Sequence, residues 1–276
     1  MKRRIRTGLI VVFLLLLAVS LGYFALRLAD YRRSSGRLQE LAAEVNFPEQ
    51  AFMAQIDPAQ QGEQGAETSE AEFSGLGPCL VDEEAYQQRI QEYEKLEKQN
   101  SDWTAWIYIP DTRINYPVMQ SIDAPDFYLT HNFDRQKSVY GVPYIAETCD
   151  LENGCSNIVV YGHHMRDGSM FAGLAAYQDE EYWKTHPYIY FETREDAGVY
   201  RIFGAMAIQA DEKDLVDKMW AQDELRYSEF VAETNRRSFY STGEIARYGE
   251  QLLTLVTCEY SHNNGRMVIV AKKISD

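Results

Sequence analysis

Cysteine is scarce in this sequence. Four in 276 residues, unevenly spaced, are too few for a disulfide framework to hold the fold. Basic charge is also short, since 27 Lys and Arg against 42 Asp and Glu leave a formal charge of −15. That argues against a nucleic-acid binder, which presents a basic face. It also disfavours adsorption of the folded part to anionic lipid. No internal repeat is visible, so nothing points to a repeat array. Residues 55–78, "QIDPAQQGEQGAETSEAEFSGLGP", have almost no large apolar side chain. Such a stretch cannot repay its ordering entropy and is read as a flexible tether.

Charge is missing altogether from Gly8 to Leu26, "GLIVVFLLLLAVSLGYFAL". A helix of that length spans roughly the ~30 Å hydrocarbon core of a bilayer. A cleaved signal peptide has a shorter apolar region, ~7–15 residues, closed by a small-x-small site. Here Tyr23 and Phe24 follow the best candidate junction. The reading is therefore an uncleaved anchor over 8–26, preceded by a basic cytoplasmic tail at 1–7. Arg27, Arg32, Arg33 and Arg37 follow the span, so the positive-inside count alone barely sets its direction. Residues 27–80 are then a juxtamembrane segment and linker. Leu38, Leu41 and Val45 suit a short helix within it. Residues 81–276 form the folded domain.

The content of that domain is mainly strand. "DEEAYQQRIQEYEKLEKQN" first sets Tyr86, Ile90, Tyr93 and Leu96 on one helical face, with acidic residues in the first turn. Beyond Asn100, seven short runs are β-branched or aromatic and bounded by Gly, Pro, Asn and Asp: "WIYI", "INYPVMQ", "NIVVYG", "YIYFET", "GVYRIFGAMAI", "LLTLVTC" and "RMVIVAKKI". Two helical stretches interrupt them, "MFAGLAAYQDEEYWKTHP" and "DELRYSEFVAETNRRSF"; the second puts Tyr227, Phe230, Val231 and Thr234 on one face. Many strands and few helices imply a closed or nearly closed barrel with helices inserted in its loops.

Reactive side chains gather at strand ends. "TLVTC" ends on Cys258, "NIVVYGHHM" presents His163 and His164, and "NNGRMVIVAKK" begins a strand at Arg266. A cysteine nucleophile needs an acid/base partner and a cation or dipole beside the developing charge. Singly, each residue has a bland reading: a small core residue, a loop histidine, a solvated arginine. Those readings must hold three times over to dismiss the set. If the last two strands pair through the 259–265 loop, Cys258 and Arg266 lie across a strand pair. Nothing local fixes where His163 sits. A metal site competes for the same residues, but adjacent histidines on a strand point to opposite faces. Cys149 and Cys155 are separated by five residues, outside the usual zinc spacing. They read as free thiols or as a surface-loop disulfide.

These segments resemble the sortases, class B in particular. "TLVTC" matches the family's TLxTC signature, "VVYGHHMRDGSMF" its histidine segment, and "GRMVIVAKK" its arginine strand. "WTAWIYIPDTRINYPVMQ" and "FYLTHNFDRQKSVYGVPYI" are similar to its early segments. The helix at 223–239 resembles an insertion typical of class B. The resemblance covers roughly residues 84–274. It implies a sortase-type closed β-barrel on a membrane-anchored cysteine transpeptidase outside a Gram-positive-type cell. Cys258 would be the nucleophile, His163 the acid/base and Arg266 the oxyanion or substrate-orienting group, with no metal and no cofactor. Leu129, Val256 and Glu259 fall where the family lines its peptide groove. Partners would be the sorting-signal peptide of secreted proteins, NPxTN or NPxTG in kind, and a peptidoglycan precursor amine. The sequence departs at "SIDAPDFYL", where Ala124 and Pro125 stand in place of a frequent Asn, and in the short loop after Cys258. A hydrolase without transfer, a pilus-assembling sortase and a tethered module without chemistry are the competing readings. The first is weakened by chain order: His163 precedes Cys258, unlike papain-type enzymes, and the caspase Q-A-C-x-G run is absent.

Overall fold

The computed structural model describes residues 2–47, 83–146, 148–151, 154–220, 223–259 and 265–274, with side chains described except at 2–9, 258 and 259. The tether expected at 55–78 and Cys79 lie outside those residues.

Helix α1 (Lys2–Val45) runs unbroken from the apolar stretch into the domain. Its window from Ile10 is long and apolar enough to cross a membrane, and none of that window is buried. The short helix expected near residue 40 is the lower part of this one helix. There Ser34, Leu38, Leu41 and Val45 are buried, and Phe47 just beyond packs on Tyr108 and Tyr190. Helix α2 (Glu83–Gln99) buries Tyr86, Arg89, Tyr93 and Leu96. Ile90, expected on that face, is only half-buried; Arg89 takes the inner position because it pairs with Glu192 in two hydrogen bonds of 2.9 and 2.7 Å.

Eight strands follow: β1 (Trp103–Tyr108), β2 (Asn115–Met119), β3 (Tyr144–Ile145), β4 (Asn157–Tyr161), β5 (Tyr188–Glu192), β6 (Ala197–Gln209), β7 (Leu252–Glu259) and β8 (Gly265–Lys273). They close into a barrel in the order β1-β2-β3-β4-β7-β8-β6-β5, with β5 returning to β1. The pairs β2/β3 and β4/β7 are parallel and the rest antiparallel. The expected closed barrel is present, with one strand more than the sequence runs suggested. That strand, β3, has two residues and is too short to show a period.

Alternation divides β4, β7 and β8 between two cores. Val160, Leu253, Leu255, Met267 and Ile269 fill the barrel. Val159, Val256, Val268 and Val270 face outward beneath α4 (Lys213–Met219) and α5 (Glu224–Arg237). Burial on both faces explains why these strands read as continuous apolar runs. Helix α5 buries the four residues its period marked, and its N-cap Asp223 accepts from the Arg226 N–H at 3.0 Å. Gly204 on β6 lets it approach: a β-carbon there would collide with the side chain of Thr234. The stretch after the histidines is a 3-10 helix (Phe171–Gln178) followed by α3 (Glu180–Thr185). Cys149 and Cys155, left open by the sequence, form a disulfide in the β3–β4 connection.

Candidate active site

Strands β4 and β7 run parallel to the same end of the barrel, with Tyr161 opposite Val256. The Gly162 N–H donates to the Val256 carbonyl at 3.1 Å and carries the pairing one residue further. His163 is two residues beyond Tyr161 and Cys258 two beyond Val256, so they occupy the same level. On the other side Cys258 is in direct register with Arg266 of β8. By alternation all three positions belong to the outward face that carries Val159, Val256 and Val268. Three separate sequence segments therefore meet at one level on neighbouring strands, which are ~4.8 Å apart by sheet geometry.

His163 is held by three contacts. Its carbonyl accepts from the Phe171 N–H at 2.9 Å. The ring of Phe171 lies against Gly162, where a β-carbon would come within 2.6 Å of it. The Nε2–H of His163 donates to the Leu129 carbonyl at 2.6 Å. A carbonyl oxygen can only accept, so this contact places the proton on Nε2 and leaves Nδ1 free to exchange one. His164, the neighbour, forms a bridge with Met170 instead. Arg266 is half-buried and its guanidinium donates to the Gly265 carbonyl at 3.0 Å.

The three residues expected to line a groove are placed differently. Leu129 ends a 3-10 turn (Phe127–Leu129), is 36% exposed, and stands beside His163 through its carbonyl. Val256 is 4% exposed and belongs to the cluster under α4 and α5, so its side chain is floor rather than lining. Glu259 lies opposite Gly265 at the end of β7. Trp220, just after α4, stands beside this floor and reaches the ring of Tyr161 at 6.2 Å. Sequence reasoning missed Gly141, whose φ is +57° and whose missing β-carbon makes room for the carbonyls of Tyr128 and Leu129. Its signal was the Gly-Val-Pro turn. Among the described residues, no group of three or more His, Cys, Asp or Glu could hold a metal ion.

A cysteine position in register with an arginine and level with a histidine brings together the residue types that nucleophilic acyl transfer requires. The sortase domain model matches residues 107–274, which takes in the whole barrel from the last two residues of β1 onward. The chain belongs to the sortase family. Staphylococcus aureus sortase B is 32% identical over 185 residues, covering 66% of this chain and 75% of that protein. Listeria monocytogenes sortase B is 30% identical over 186 residues, 67% of this chain and 74% of the relative. Among solved structures, a Cys-to-Ser mutant form of Clostridium perfringens sortase B superposes with a TM-score of 0.64 at 31% identity, covering 71% of this chain and 92% of that one. A Staphylococcus aureus sortase B–substrate complex gives 0.62 at 28% identity, with 69% and 91% covered. The protein is thus a sortase-type cysteine transpeptidase with class B relatives.

Proposed function

We propose that this sortase is held by a single span at residues 8–26 with its barrel outside the cell. There it cleaves a C-terminal sorting signal of the NPxTN or NPxTG kind and transfers the acyl group to a cell-wall precursor amine. The observation that carries the reading is the meeting of Cys258, His163 and Arg266 at one level on β4, β7 and β8. The substrate-bound relative supports a peptide as the occupant. The Cys149–Cys155 disulfide fits an oxidising compartment.

In the first half-reaction the Cys258 thiolate attacks a backbone carbonyl of the signal. A carbon–sulfur bond forms, and the carbonyl electrons move to an oxyanion opposite Arg266. Collapse breaks the peptide C–N bond, and His163 gives its proton to the departing amine. In the second half-reaction the acceptor amine attacks the thioester and loses a proton to His163. The C–S bond breaks and the thiolate is regenerated. Arginine suits the oxyanion role because it keeps its proton and offers several donors. Leu129 stands at the rim where the peptide would lie, with Val256 beneath it and Glu259 at the strand end.

The test is incubation of the full-length chain with a panel of sorting-signal peptides, with and without amine acceptors, read by mass spectrometry. A thioester on Cys258 and an amine-dependent product are expected, and Cys258→Ala should abolish both. Cleavage with no product on any amine would make it a hydrolase. An acceptor that is a protein lysine would make it a pilus-assembling enzyme. A thioester in the Cys258→Ala variant would overturn the nucleophile.

A further inference from the structure

The lower part of α1 does not merely rest on the barrel. It grips one segment, residues 133–140. The Asp30 carboxylate accepts from the Val139 N–H at 3.1 Å. Ser34 and Ser138 share a buried hydroxyl–hydroxyl hydrogen bond of 2.9 Å. Arg33 donates to Gln136 at 3.2 Å and Arg37 to Asp134 at 3.3 Å. The guanidinium of Arg37 also lies over the ring of Phe133, and Tyr31 meets the ring of Tyr140 at 5.6 Å.

That segment is the far end of a stiff double-backed loop whose near end touches the histidine. The Ser138 N–H donates to the Thr130 carbonyl at 2.9 Å and the Val142 N–H to the Tyr128 carbonyl at 3.1 Å, binding the two arms. Asn100 fixes the loop from inside, donating to the Tyr128 hydroxyl at 2.9 Å and to the Phe133 carbonyl at 2.6 Å. Between these ties sits Leu129, whose carbonyl receives the His163 Nε2–H. A second route runs through Tyr140. Its phenol lies near Asp167, in the 165–168 turn just after the histidines, and burial followed by that carboxylate raises its pKa.

We infer that the anchor helix is a positioning element of the catalytic site: Asp30, Ser34 and Arg37 clamp the 127–142 loop, which holds the Leu129 carbonyl on His163 and so fixes the tautomer that exchanges protons at Nδ1. The inference rests on the acid/base role proposed for His163. The three residues touch no reacting atom and act through the loop. Loss of the clamp lets Leu129 drift, and an imidazole without a fixed partner samples both tautomers. The effect on the histidine shows in turnover, and because Leu129 also stands at the rim of the proposed groove, KM reports separately any drift of its side chain.

The test uses the full-length chain in nanodiscs. The variant Asp30→Ala/Ser34→Ala/Arg37→Ala is compared with the natural chain in kcat and KM on one sorting-signal peptide. In parallel, nitrogen-15 magic-angle spectra of the histidines are recorded, with His163 assigned by its loss in His163→Gln. A fall in kcat of roughly tenfold or more, larger than the accompanying change in KM, is expected, the scale on which displacement of a reacting group slows a step. The His163 signal should change from one tautomer to a mixture. Ser34→Thr, which keeps the hydroxyl, should behave as the natural chain. Unchanged kcat together with an unchanged tautomer would overturn the clamp. If the triple variant does not melt cooperatively, Asp30→Ala alone takes its place under the same criteria. No turnover by the natural chain would defeat the enzymatic reading, while the tautomer comparison would still decide the clamp.

Discussion

His163 and His164 differ by one position in the chain and by everything around them. One donates to the Leu129 carbonyl at the level of Cys258, and the other bridges to Met170. His163→Ala should therefore lose at least ~10²-fold in rate, the usual scale for a removed general acid–base. His164→Ala should chiefly lower stability. Arg266→Lys should also fail badly, since lysine keeps the charge and loses the planar fork. Rates of the three variants on one peptide at one pH decide it. Equal losses for both histidines with Arg266→Lys unaffected would point to a diffuse polar cluster instead. The three positions were legible in the sequence because each ends or begins an apolar strand with a reactive side chain. Their meeting was half legible: Cys258 opposite Arg266 follows from one hairpin, whereas His163 reaches them only through the parallel β4–β7 pair, which no local pattern announces. The Leu129 carbonyl and Gly141 were not legible as site parts, because a backbone contact leaves no mark in side-chain chemistry.

Among the elements, α2 shows where apolar periodicity reaches its limit. Its pattern marked Ile90 for the inner face, and the fold buries Arg89 there instead. The reason lies 103 residues away on β5, where Glu192 is 1% exposed and also accepts from the Tyr93 hydroxyl at 2.8 Å. Arg89 further covers the ring of Phe47 at 4.4 Å, joining the chain that leaves α1 to the same pair. Removing Arg89 leaves the Glu192 carboxylate in the interior without its counter-ion, with the Tyr93 hydroxyl still donating to it. Arg89→Met should destabilise the domain by about 3–5 kcal/mol, and a change of both Arg89 and Glu192 to Met should recover much of that. Urea midpoints at constant m-value measure both. An Arg89→Met variant as stable as the natural chain would show the pair to be without weight. Helix α5 was legible throughout, since its inner face is wholly apolar or small and its caps are local. Two-residue β3 was not.

On the scale of the whole molecule, the chain leaves α1 and re-enters at α2 from one corner. Glu44, Val45 and Asn46 share a small cavity with Ala85, Gln88 and Arg89. Composition alone implies a span, then a tether, then a domain. The tether's own residues lie outside those described, but the segments on either side of it are neighbours, and α1 runs unbroken from the candidate span into the domain. Protease added to intact cells should nick the chain within 55–78, and the barrel should nonetheless sediment with the membrane, held by Leu38, Leu41, Val45 and the polar contacts of α1. Urea should then release it. Release on nicking alone would mean that α1 does not hold the barrel, and full protection of the chain would place the domain inside the cell. Composition made the low complexity of 55–78 legible; that its flanks fold back together is a tertiary fact beyond any window of sequence.

The unbroken helix has a kinetic consequence as well. From Leu26, where the apolar run stops, to Asp30, the first residue that holds the barrel, is four residues, a rise of about 6 Å. With the span in a bilayer, the barrel has a fixed altitude and little reach. Encounter with a partner that is itself in the membrane becomes a search in two dimensions, governed by molecules per unit area. Turnover on such a partner should follow its surface density when lipid is added at constant protein and partner, falling as the same molecules are diluted over more membrane, whereas turnover on a short soluble peptide should be indifferent to lipid.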